Sequence, residues 1–126
     1  MYRRLPATPV SVGAARHSVA CFAADLDLDL DDIRLAVSEA AANAVMHAYA
    51  EGAPGEIELS AATSPSALTV TVRDHGRGLS AGGSGAGAGY GLAIIRRVAE
   101  HVELSDTPDG VSLTMSFPRA AAPSVR

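Results

Sequence analysis

Lysine and tryptophan are absent from the chain, and all 10 of its Lys and Arg positions are arginine. Against 14 acidic residues this leaves a formal net charge of -4. A protein that tracks duplex phosphates needs a broad basic surface, so direct nucleic-acid binding is not expected. One phosphorylated ligand is still compatible with this balance. Aromatic residues make up only 4% of the chain, so its core has to be aliphatic. The single cysteine, Cys21, rules out an intrachain disulfide and a multi-cysteine metal site. Set in the apolar run Val19, Ala20, Cys21, Phe22, it is expected to be a buried, inert thiol. No run of about 18 apolar residues is present to span a bilayer, and the N-terminal MYRRLPATPV lacks the apolar centre of a secretory signal. A cytoplasmic setting without a membrane partner is therefore expected.

What is present is a chain of 126 residues, 48% hydrophobic and 19% charged. That balance is globular rather than disordered. Its size fits one domain over residues 1–126, with a core at about 8–118 and a loose tail at 119–126. Thr8 before Pro9 reads as a helix start, followed by Val10, Ala14, His17, Ala20, Cys21 and Ala24 at helical spacing. The acidic segment 25–32 lacks the central glycine and closing glutamate of a calcium loop, so it reads as a solvated linker whose carboxylates cap a helix. Residues 31–50 carry the strongest helical pattern, with Ile33, Val37, Ala40, Ala41, Ala44 and Ala48 forming a small-residue face.

Alternation of Ile57, Leu59 and Ala61 with polar neighbours, and of Leu68, Val70 and Val72 with theirs, predicts two strands in a hairpin. The glycine-dense GLSAGGSGAGAGYG follows. A third helix is predicted from Leu92 through Val102, then strands near 102–105 and 111–117, with a short strand possible before Pro6. The expected architecture is α+β, a two-layer sandwich with a mixed β-sheet and helices on one face.

Three groups of residues could carry chemistry. Glu39 and Asn43 are four apart, so they share a helix stripe that His47 continues. A carboxylate can take a proton, and an amide oxygen is a hard ligand suited to magnesium. The alternative is an exposed polar stripe, and His47 by itself reads as structural. Asp74 ends a strand on the same side as Val70 and Val72. Its inward carboxylate needs a donor such as an exocyclic amine, with Gly76 and Gly78 allowing a tight turn beside it. An ordinary turn with an acidic start is the competing view. Gly87, Gly89 and Gly91 alternate before an apolar helix, where backbone N–H groups could cradle phosphates; a flexible linker is the alternative.

The order and spacing of E39-AAA-N43, D74-H-G76-R-G78 and G87-A-G89-Y-G91-L92 resemble the Bergerat ATP-binding fold shared by gyrase, Hsp90, histidine kinases and MutL, the GHKL group. Within it, SEAAANAVMHAY looks most like the stand-alone anti-sigma factor serine/threonine kinases. This resemblance implies ATP and Mg2+ as cofactors. It implies Asn43 as the magnesium ligand, Glu39 as catalytic base, and Asp74 on the adenine amino group. Gly76 and Gly78 would shape the adenine pocket, and Gly87, Gly89, Tyr90, Gly91 and Leu92 would form the phosphate-contacting end of a lid. It further implies an anti-anti-sigma (STAS-domain) protein as substrate, a sigma factor as second partner, and a homodimer through the first strand and helix. Residues 79–86 form a short, uncharged lid, with no cation between Arg77 and Arg96. A non-catalytic ATP-binding regulatory module and a detached histidine kinase catalytic domain therefore stay as alternatives.

Overall fold

The computed structural model describes residues 1–50, 55–75, 86–107 and 109–119, with side chains for all of these except 47–50, 86–90 and 107. The elements in chain order are β1 (Tyr2–Pro6), α1 (Val10–Ala23), α2 (Leu30–Ala50), β2 (Glu56–Thr63), β3 (Ala67–Asp74), α3 (Ala86–Val98), β4 (His101–Thr107) and β5 (Gly110–Pro118). The strand predicted before Pro6 is thus present. The five strands form one sheet in the order β1-β2-β3-β5-β4.

All four neighbouring pairs are antiparallel, so the α+β class holds but the sheet is not mixed. The reason lies in the α3 crossover. It returns the chain in the direction of β3, but β4 settles one place further out, and β5 runs back into the gap between them.

Alternation along the strands separates two faces. Leu5, Ile57, Leu59, Leu68, Val70, Val72, Leu113, Met115 and Phe117 are buried and join Ile33, Val37 and Ile95 of the helices in one cluster. Burying side chains such as Ile57 or Leu68 contributes roughly 1.5–3 kcal/mol each. The core reaches ahead of residue 8, because Leu5 and Ala7 belong to it. On the other face, the hydroxyls of Thr71 and Thr114 share a 3.0 Å hydrogen bond across β3 and β5.

Helix α2 packs on α1, on α3 and on β3. Ala36, Ala40, Ala41 and Ala44 are buried on it, and side chains this short let neighbouring backbones approach closely. Its start is set by Asp29, whose Oδ1 accepts the N–H groups of Asp31 at 3.0 Å and Asp32 at 3.2 Å. Such a cap is worth about 1 kcal/mol. The acidic linker thus caps as its sequence suggests, while Leu26, Leu28 and Leu30 between the aspartates lean on the core.

Helix α1 corrects two expectations. It buries Ser11, Ala15, Val19, Ala20 and Ala23, a face rotated away from Val10, His17 and Cys21. Cys21 is therefore exposed rather than buried, with its Sγ 3.5 Å from Nε2 of His17. The cause is that Ala and Ser fit the closely packed side as readily as larger apolar residues, so hydrophobicity alone did not mark it. At the start of α1 the N-cap is Pro9, without a side-chain cap; the carbonyl of Thr8, not its hydroxyl, accepts the Ser11 N–H at 2.9 Å.

The third helix differs most. It runs from Ala86 to Val98, starting before the predicted Leu92 and ending before Val102, which lies in β4. Among the described residues no helix is long and apolar enough to cross a membrane.

Candidate nucleotide site

Glu39 and Asn43 stand one turn apart on α2, separated by about 6 Å of helical rise. Both are half-buried, and neither side chain has a hydrogen-bond partner among the described residues. The amide of Asn43 lies directly against α3. A Cβ placed on Gly91 would fall 2.7 Å from Nδ2 of Asn43 and 3.1 Å from its Oδ1. Real Cβ atoms do not approach that closely, so the missing side chain at Gly91 is what lets the amide sit there. The fold thus brings together two of the sequence motifs.

Gly87, Gly89, Tyr90, Gly91 and Leu92 lie within the first two turns of α3 rather than in a loop before it. Only the first four N–H groups of a helix lack an acceptor within it. Gly87 falls inside that set. The N–H groups of Gly91 and Leu92 fall outside it, so phosphate contact through those two needs the first turns of α3 to open. Gly76 and Gly78 lie outside the described residues, as do residues 79–85 of the predicted lid and the side chain of His47.

Asp74 is the last residue of β3 and is only 2% exposed, on the helix-facing side of the sheet. Its Oδ1 accepts the Val111 N–H at 3.4 Å. Gly110, not singled out from the sequence, closes over it: a Cβ there would lie 2.0 Å from the Asp74 carbonyl oxygen, and its φ is +141°. The dipeptide Asp109-Gly110 ahead of an alternating apolar strand is a hairpin signal that could have drawn attention to it.

The opposite face beside Asp74 carries an ionic cluster. Tyr2 donates its hydroxyl to Oε1 of Glu58 at 2.6 Å, and Nε2 of His75 bonds Oε2 of the same carboxylate. These bonds, the Tyr2 hydroxyl first, hold the Glu58 carboxyl below its ordinary pKa, while the same bond raises that of Tyr2. A lowered carboxyl pKa adds stability that is present above the unfolded value and lost as pH falls through the folded one. Glu58→Gln should therefore flatten the acid-side fall in stability, seen as urea midpoints measured from about pH 6 to about pH 3. Parallel curves for variant and wild type would exclude this linkage.

The donor set suits a phosphate-bound cation better than a protein-enclosed one. Among the described residues no group of three His, Cys, Asp or Glu side chains could hold a metal. The amide oxygen of Asn43 is, however, a hard donor that magnesium can take when phosphates and water fill its other positions.

Comparison with known proteins bears on the family and the fold. Residues 5–117 match the family model of the histidine kinase-like ATPase domain. Serine-protein kinase RsbW of Bacillus velezensis and of Bacillus subtilis are each 39% identical over 57 residues. That segment covers 43% of this chain and 36% of each relative, so the chain matches about a third of their length. Among solved structures, the RsbU and RsbW domains of Rv1364c from Mycobacterium tuberculosis align with a TM-score of 0.69 at 22% identity, covering 96% of this chain and 33% of that one. The histidine kinase domain of the blue-light activated histidine kinase from Erythrobacter litoralis EL346 aligns with a TM-score of 0.58 at 19% identity, covering 88% of this chain and 60% of that one. At these identities the structural likeness speaks for the fold.

Proposed function

The chain belongs to the histidine kinase-like ATPase family, and from that premise we propose that it binds Mg-ATP and phosphorylates a serine or threonine of an anti-anti-sigma, STAS-domain protein. The observation that carries this reading is the seat of Asn43 against Gly91, which joins a carboxylate-and-amide stripe to the glycine-rich start of α3. Likeness to the RsbW serine-protein kinases supports the reaction class. A sigma factor as second partner, a homodimer through β1 and α1, and a cytoplasmic setting complete the proposal.

In this site Asn43 would hold the magnesium ion through its amide oxygen, and Asp74 would accept a hydrogen bond from the adenine amino group. Gly76 and Gly78 border the base. Gly87, Gly89, Tyr90, Gly91 and Leu92 border the phosphates. Bound magnesium supplies charge neutralisation at the phosphates. Glu39 takes the proton from the incoming hydroxyl, a role that its half-buried place one turn from Asn43 permits.

Titration with Mg-ATP in a calorimeter, followed by transfer from labelled ATP to a STAS-domain protein of the same organism, tests the reading. Binding heat and a labelled partner are expected. A protein without affinity for ATP would overturn it. ATP binding without transfer to that partner would instead leave a regulatory ATP-binding module, the reading favoured by the absence of any cation between Arg77 and Arg96.

A further inference from the structure

Asp74 occupies an unusual place in the sheet. On one side it pairs with Ile57 of β2. On the other, the β3–β5 ladder ends at Arg73 and Ser112, so Asp74 is the first residue past it. A side chain at the frayed end of a ladder would ordinarily drift. Here two backbone features of the β5 start restrain it. The Val111 N–H is directed to the side-chain Oδ1 of Asp74. Gly110 lies flat on the Asp74 peptide, where a Cβ would meet its carbonyl oxygen at 2.0 Å, its carbonyl carbon at 2.9 Å and the Cα of His75 at 3.0 Å. The φ of +141° at Gly110 is itself a conformation that favours glycine.

From this geometry we infer that Gly110 and the Val111 N–H are positioning residues for nucleobase recognition: the start of β5 fixes the Asp74 carboxylate so that the site tells a 6-amino purine from a 6-oxo purine. The inference rests on the proposed ATP site and adds to it the part of the fold that decides base selectivity. A carboxylate only accepts hydrogen bonds. Facing an exocyclic amine it is satisfied, whereas facing the 6-oxo group it meets another acceptor. That contrast is sharp only while the carboxylate cannot swing aside. Gly110 blocks backward movement of the Asp74 peptide, and Val111 sets the plane of its carboxylate. Neither group reaches the reacting phosphate, so their effect belongs to binding and selectivity rather than to turnover.

The test is a calorimetric comparison of Mg-ATP and Mg-GTP binding to wild type, Asp74→Asn, Gly110→Ala and the double variant. Gly110→Ala should weaken ATP about tenfold or more while GTP changes by less than about twofold, the scale of a displaced hydrogen bond to a charged group. In the Asp74→Asn background the same substitution should cost ATP affinity little further, because the two act through one contact. Equal losses of ATP and GTP, or full additivity in the double variant, would overturn the inference. Wild type that binds no ATP would overturn the functional reading beneath it; Asp74→Asn weakening ATP while Gly110→Ala does not would overturn this inference alone. Should Gly110→Ala fail to fold by thermal melting, the α-hydroxy analogue of valine at position 111 deletes only the N–H. A lowered ATP-to-GTP preference in that ester protein supports the inference, and an unchanged preference overturns it.

Discussion

A Glu39→Ala protein should transfer phosphate to its acceptor about 10²–10⁴ times more slowly than wild type while binding Mg-ATP within about threefold. The Glu39 side chain makes no hydrogen bond among the described residues and is only half-buried, so its loss leaves no stranded partner in the described part of the fold. Alanine is also the strongest helix former, which favours an intact α2. The variant thus removes a proton acceptor without removing the platform for the nucleotide. Single-turnover transfer from labelled ATP, with affinity measured separately, reads the two effects apart. Transfer at the wild-type rate would remove Glu39 from the chemistry, and a parallel collapse of ATP affinity would make it a binding residue instead.

Gly91→Ala should lower Mg-ATP affinity by about tenfold and leave the melting temperature unchanged or raised. The two signs have separate causes. Gly91 lies inside α3 without a positive φ, and exchanging such a glycine for alanine favours a helix by roughly 0.5–1 kcal/mol. The new methyl would fall 2.7 Å from Nδ2 of Asn43, so the amide must rotate away from α3. A flexible side chain can do that at little cost to the fold. It cannot do so and keep its oxygen where a magnesium ion bound to the phosphates would meet it. Binding measured with and without magnesium should therefore show the loss mainly in the magnesium-dependent part. Equal losses under both conditions would place the effect elsewhere.

Strand positions were the most legible part of the chain. Period-two alternation in residues 57–61, 68–72 and 111–117 is a long-lived signal, because one face is apolar and the other carries Thr, Ser and charged residues. Helix α2 was legible for a similar reason, with Asp29 and its neighbours marking where it starts. Helix α1 was located, but its buried face was not. Alanine and serine cover both sides of it, so hydrophobicity scarcely distinguishes inside from outside, and the apolar neighbours of Cys21 do not reveal that it faces solvent. The start of α3 is not legible locally, because alternate glycines weaken helix preference; contact with α2 supplies what the local sequence does not.

The candidate site divides in the same way. Glu39 and Asn43 are linked by helical spacing, and Asp74 is turned inward by strand alternation; both follow from periods that every helix and strand obeys. Gly110 was not legible, because its need for a bare Cα arises from the Asp74 peptide, 36 positions earlier in the numbering and brought alongside only by β5 pairing with β3.

Composition also had a definite reach. The absence of lysine and of a long apolar run argued against a nucleic-acid surface and a spanning helix, and the scarcity of aromatics required the aliphatic core that is found. Those are properties of content, and content is independent of folding. Tertiary structure alone decided that Cys21 faces outward, that the sheet is antiparallel throughout, that Asn43 rests on Gly91 and that Gly110 closes over Asp74. Each of these depends on which surfaces meet, and close contact between elements distant in sequence is set by packing rather than by any local preference.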